Sequence, residues 1–207
     1  MPRLITGLDA ARVRDNLERV RDEIAAAGRD PDEVAILAAV KYVPLEEIGV
    51  LGENRAQDLE AKAGAQPQFH WHFIGQLQSR KVKQIVPHAE LIHSVASQSA
   101  LRQLEKHGAP ETEILIEVNV AGEDGKAGID PSELPRYLAA APGRVKGLMT
   151  MPPFVQDPER SRPHFARLRE LAHEHGLETL SMGTSQDYAI AAAEGATIVR
   201  IGTILYT

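Results

Sequence analysis

Apolar positions along the chain follow two rhythms. From Asp9 to Ala27, Val13, Leu17, Val20 and Ile24 recur every three or four residues among arginines and glutamates, which puts them on one face of a helix. Asp9 offers an N-cap oxygen and Gly28 a C-terminal stop. The chain should therefore begin with an amphipathic helix that buries one side. Beyond Pro31 the rhythm changes. Val34-Ala35-Ile36-Leu37-Ala38-Ala39-Val40 runs without a polar residue, as expected of a strand buried on both faces in a parallel sheet.

Comparable short segments follow at Val50–Glu53, Phe69–Ile74, Leu91–Val95, Ile114–Val120, Val145–Met149, Thr179–Met182 and Thr197–Ile201. Helix-compatible stretches lie between many of them: Ser97–His107, Pro131–Ala141, Pro158–His175 and Asp187–Glu194. Strand alternating with helix defines a parallel α/β protein. A count of eight strands favours a closed (β/α)8 barrel of the TIM type over an open, doubly wound sheet. No Pro/Gly/Ser-rich linker or low-complexity tract interrupts the pattern, so residues 1–207 are read as a single domain, a barrel with an extra N-terminal helix.

Composition narrows the function. With 43% hydrophobic and 25% charged residues, the chain is ordinary globular protein and not a disordered one. Cysteine is absent, which excludes disulfides, thiolate nucleophiles and Cys-ligated zinc. A net charge of −6 argues against a nucleic-acid partner. No apolar run approaches the ~20 residues that span a bilayer, and Met1 to Ala11 has no apolar signal core, so the expected location is cytoplasmic and without a membrane partner. No metal site is expected: His173 and His175 are two apart on a helix, and His70 and His72 share a strand face without a third ligand, which reads as structural histidine.

In a (β/α)8 barrel the chemistry sits at the C-terminal ends of the strands. Lys41 follows the first strand, after seven uncharged residues. A lysine desolvated there has a lowered pKa and can form a Schiff base. Ser185 precedes the helix near Asp187, and Gly202 and Thr203 follow the last strand. Singly, these suit a helix cap and a turn. Together, at the two strand ends where barrels often hold phosphate, they favour an anion site. A phosphate site facing a Schiff-base lysine is the arrangement that pyridoxal 5′-phosphate (PLP) requires. Met149 and Met151, two apart on a strand, face one side, as barrel filler or as contacts to a ligand ring.

The segments at these strand ends resemble one family. They are Ala38-Ala39-Val40-Lys41, Gly52-Glu53-Asn54-Arg55-Ala56-Gln57-Asp58-Leu59, Trp71-His72-Phe73-Ile74-Gly75-Gln76-Leu77-Gln78-Ser79-Arg80-Lys81, Ile92-His93-Ser94-Val95, Val118-Asn119-Val120 with Lys126-Ala127-Gly128, Gly147-Leu148-Met149-Thr150-Met151, Leu180-Ser181-Met182-Gly183-Thr184-Ser185 and Arg200-Ile201-Gly202-Thr203. In this order they resemble the pyridoxal phosphate homeostasis proteins, whose fold is similar to the barrel of alanine racemase. The resemblance implies PLP held by Lys41 as an internal aldimine, its phosphate on Ser185, Gly202 and Thr203, its pyridine nitrogen facing Arg200, and Asn54, Met149 and Met151 beside the ring. Three features depart from the family: a short stretch between Lys41 and Gly52, an early end at Thr207, and Thr184 in place of a methionine.

The implied function is a carrier that buffers PLP or delivers it to apo PLP-dependent enzymes, acting as a monomer. The alternative is an amino-acid racemase or related small PLP enzyme. A racemase needs a second acid/base, which in alanine racemase comes from a domain after the barrel, whereas this chain ends six residues after Ile201. Arg80-Lys81-Val82-Lys83 reads as a solvated helix face or a secondary anion patch rather than an interaction module.

Overall fold

The computed structural model describes residues 9–40, 50–109, 112–141 and 144–207. Eight parallel strands close into a barrel in chain order, β1-β2-β3-β4-β5-β6-β7-β8. They are β1 (Ala35–Ala39), β2 (Val50–Glu53), β3 (His70–Phe73), β4 (Leu91–Val95), β5 (Glu113–Glu117), β6 (Val145–Met149), β7 (Thr179–Thr184) and β8 (Ile198–Ile201). Each is one of the eight segments expected from the sequence: β2, β4 and β6 keep the expected bounds, and the other five are trimmed or extended at their ends. The barrel closes where β1 pairs with β8, with Leu37 opposite Arg200.

The helices are α1 (Ala10–Ala26), α2 (Ala56–Ala65), α3 (Val82–Ile85), α4 (Gln98–His107), α5 (Leu134–Ala140), α6 (Arg162–Glu174), α7 (Tyr188–Ala193) and α8 (Thr203–Tyr206). None is long and apolar enough to cross a membrane. α1 starts as expected, with the Asp9 carboxylate accepting from the Ala11 N–H at 2.9 Å. It ends at Ala26, with Ala27 as the C-cap followed by Gly28, whose φ of +83° suits a residue without a Cβ. Its buried face differs from the expected one by one position. Val20 and Ile24 are buried with Asn16, while Leu17 lies among the exposed large hydrophobics. Asn16 faces inward because its Nδ2 donates to the Leu205 carbonyl on α8 at 3.1 Å, so a polar residue is satisfied at the helix interface.

Side chains alternate along each strand between the helices and the barrel interior. Ile36, Ala38, Leu51, Trp71, Ile92, Ile114, Leu148 and Val199 pack in the large core cluster that also contains the helix residues. Leu37, Leu91, Leu115, Met149 and Ile198 form a separate apolar cluster, with Ile74 against it. Five strands contribute to this second cluster, as an interior layer should. Glu117, Ser181 and Arg200 are buried polar residues on three of the barrel strands, and the candidate site is built beside them.

Candidate functional site

Two adjoining cavities of about 450 and 530 Å³ open at the C-terminal ends of the strands and share Asn54, Ile74, Met151, Phe154, Thr184 and Gln186 in their walls. Asn54, Ser185, Arg200, Gly202 and Thr203, all candidates from the sequence, line the first. Met151 lines both, and Met149 lines the second. Met149 also belongs to the interior apolar cluster, so barrel filling and contact with a ligand are compatible roles for one side chain. Lys41 and the segment that follows it lie outside the described residues. The described chain leads to it through Ala39, which lines the first cavity, and Val40.

The loops after β7 and β8 are tied together. Ser185 does not cap α7. Its Oγ accepts from the Gly202 N–H at 3.1 Å. Asp187, the residue before α7, turns back to accept from the Thr184 N–H at 2.8 Å. Gly183 makes this turn possible. Its φ is +89°, and a Cβ there would sit 2.5 Å from the Ala191 Cβ. Gly202 is different: a Cβ on it would meet nothing nearer than the Ala39 Cβ at 3.8 Å, so what glycine leaves open there is the cavity side and not a packed contact.

Asn54 is set by its neighbours. Glu53, fully buried, accepts from the Asn54 N–H at 2.6 Å and the Arg55 N–H at 3.1 Å. Lys62 on α2 pairs with Glu53 at 2.6 Å and also donates to the Val40 carbonyl at 2.8 Å. One lysine thus anchors both the loop that carries Asn54 and the backbone immediately before Lys41. Behind this loop Gly75 passes so close that a Cβ would lie 1.9 Å from the Asn54 carbonyl oxygen.

Arg200 is the buried cation among the described residues of the site. Its Nη1 donates to Ser181 Oγ at 2.5 Å, and its Nη2 to the Thr150 carbonyl and the Met151 sulfur, both at 2.9 Å. Burial lowers its pKa to about 10, opposed by Glu117 and Asp187, so the guanidinium stays charged at neutral pH. Glu117, at the end of β5, is 5% exposed and lines the second cavity. Burial raises its pKa, with Arg200 pulling the other way. No described residue forms a hydrogen bond or ion pair with its carboxylate.

Glu117, Glu53, Lys62, His93 and Ser181 were not singled out by the sequence reading. Glu117 carries a legible signal, a lone carboxylate inside the apolar run Ile114-Leu115-Ile116-Glu117-Val118. Lys62 carries none, being one charge among several on a surface helix.

Fold and cavity define a class: a (β/α)8 barrel whose mouth holds a cavity, lined by Asn54, Ser185 and Arg200, between the last two strands and the first. The family model "Alanine racemase, N-terminal domain" matches residues 8–207. The pyridoxal phosphate homeostasis protein of Aquifex aeolicus is 41% identical over 213 residues, covering 92% of this chain and 93% of the relative. The chain belongs to the alanine racemase N-terminal domain family and, within it, to the pyridoxal phosphate homeostasis proteins. The structure of PipY from Synechococcus elongatus with PLP bound superposes with a TM-score of 0.77 at 30% identity, covering 94% of this chain and 100% of that one. Alanine racemase from Corynebacterium glutamicum shares the barrel, with a TM-score of 0.70 at 16% identity over 100% of this chain and 63% of its own.

Proposed function

We propose that this protein binds PLP and serves its homeostasis, holding the cofactor reversibly and releasing it to apo PLP-dependent enzymes in the cytoplasm, as a monomer. The observation that carries the reading is the convergence of Asn54, Ser185, Arg200, Gly202 and Thr203 on one cavity of about 450 Å³. The donor set fits the cofactor. Ser185, Gly202 and Thr203 offer hydroxyl and backbone groups to a phosphate, and the open side of Gly202 lets an anion approach the backbone. Arg200 provides a charged donor for a ring nitrogen.

When bound, PLP supplies an aldehyde that condenses reversibly with a primary amine. Lys41 is the amine we assign to it. Arg200 holds the site's character toward binding. A guanidinium has donors only, so a ring nitrogen facing it must accept and stay unprotonated. That makes the ring a weak electron sink and disfavours broad carbanion chemistry. Lys62 ties the backbone after β1, at Val40, to Glu53 at the end of β2.

The test is the visible spectrum of the protein incubated with PLP. An amine-dependent band should appear in the parent protein and vanish in Lys41→Ala, which should keep weaker, phosphate-anchored binding. An unchanged band in Lys41→Ala would overturn the assignment. Ser185→Ala should weaken retention and leave the band in the bound fraction.

One observation favours a second reading, a racemase or related PLP enzyme. Glu117 is a buried carboxyl without a described partner that faces the second cavity, and it could exchange a proton with a ligand. Exchange of the α-proton with solvent deuterium, assayed across several amino acids, separates the readings. Turnover lost in both Lys41→Ala and Glu117→Gln supports the enzyme, and its absence in the parent protein supports the carrier.

A further inference from the structure

A line of polar side chains crosses the barrel interior and ends on Arg200. His72 on β3 lies with its Nδ1 3.0 Å from His93 Nε2 on β4. His93 Nδ1 lies 2.8 Å from Ser181 Oγ on β7. Ser181 Oγ lies 2.5 Å from Arg200 Nη1 on β8. His93 and Ser181 are fully buried, so water cannot substitute for a missing partner.

The chemistry of the four groups gives this line a direction. A guanidinium only donates, so Ser181 Oγ must accept from Arg200. The serine then has one proton of its own to place, and the one described acceptor at hand is His93 Nδ1. If His93 carried its proton on Nδ1, two donors would meet at Oγ and the serine O–H would be buried with no acceptor. His93 Nδ1 therefore accepts, and the proton of the neutral ring sits on Nε2. That proton points to His72 Nδ1, which accepts in turn, so His72 also carries its proton on Nε2. Burial supports two neutral rings: it holds His72 at about 4 and His93 well below the ordinary 6.5, and their mutual proximity adds to the effect at His93.

We propose that Ser181, His93 and His72 are positioning residues that form a one-directional hydrogen-bond relay, both imidazoles protonated on Nε2, which fixes the Arg200 guanidinium toward the ligand cavity. The relay orients three acceptors in series, so that Arg200 keeps one of its two Nη groups on a hydroxyl whose own proton is committed elsewhere. Thr150 and Met151 hold the other Nη group. Together they leave Arg200 one orientation in which to meet a ring nitrogen. The functional part of this inference rests on the PLP reading, whereas the relay itself does not.

The first test uses the protein without PLP. Long-range ¹H–¹⁵N correlation of the imidazole rings at neutral pH should show both histidines neutral, with Nε2 protonated and Nδ1 bare. An Nδ1 proton or a charged ring on His93 would overturn the relay whatever the protein binds. The second test compares Ser181→Ala and Ser181→Thr in correctly folded protein. Ser181→Ala should speed hydrogen exchange at the Arg200 guanidinium, weaken PLP retention by about tenfold, and shift the pH midpoint of the bound chromophore. Ser181→Thr, which keeps the hydroxyl, should restore all three toward the parent. Equal behaviour of the two variants would show that the hydroxyl does not position Arg200. Confirmed tautomers and a Ser181-dependent guanidinium exchange in a protein that failed to take up PLP would refute the cofactor reading and leave the relay standing.

Discussion

Lys62 shows how much a single residue can hold at this mouth. It neutralises a glutamate that is fully buried and clasps the carbonyl before Lys41. Removing one partner of a buried ion pair leaves the other charge uncompensated. Lys62→Met should cost about 3 kcal/mol in urea unfolding and should weaken PLP uptake, because the loop carrying Asn54 loses its anchor. Glu117 predicts the opposite sign. Its folded pKa lies above the ordinary 4.5 because burial penalises the charged form. The native state therefore loses stability as pH rises through that raised value. Glu117→Gln should be more stable than the parent protein at pH 7, and the gap should close as pH falls toward 4.5. Paired urea titrations at the two pH values check this.

Among the elements, α1 bears on the site indirectly, through α8. It lies outside the barrel, yet packs on α8, which begins at Thr203 in the wall of the cavity. Asn16 fastens the two helices through the Leu205 carbonyl. Asn16→Ala should cost about 1–2 kcal/mol, the expected loss for a buried hydrogen bond whose acceptor is left unpaired. If α1 stabilises the phosphate end, the same variant should also release PLP faster, which stopped-flow displacement would read. Most of this element was legible in the sequence: the helical spacing, the Asp9 cap and the Gly28 stop all appear in the structure. The inward turn of Asn16 and outward turn of Leu17 were not, because periodicity marks a face but cannot show that an acceptor waits opposite one of its edges.

For the whole molecule, acid stability follows from the barrel interior. His72, held near 4 when folded and near 6.5 when unfolded, favours the native state in full above pH 6.5 and loses that contribution as pH falls toward 4. At about 1.4 kcal/mol per pH unit this amounts to about 3 kcal/mol, and His93 adds in the same direction. Thermal unfolding across pH 4 to 7 should show a steep fall, and His72→Gln should flatten it. The strands and their count were readable because a parallel barrel buries both faces of every strand and so writes each one as a short apolar run. The residues at the strand ends were readable as candidates because the fold confines chemistry to that rim. By itself the sequence determined the alternation of strand and helix, the closed barrel and the small set of polar groups at its mouth. Only the tertiary structure decided which of those groups share a cavity, that Ser185 bonds across to Gly202 instead of capping its own helix, and that two histidines and a serine line up behind Arg200. Those pairings join residues 17 to 88 positions apart. The register of one strand against another sets such distances, and no local pattern of side chains encodes that register.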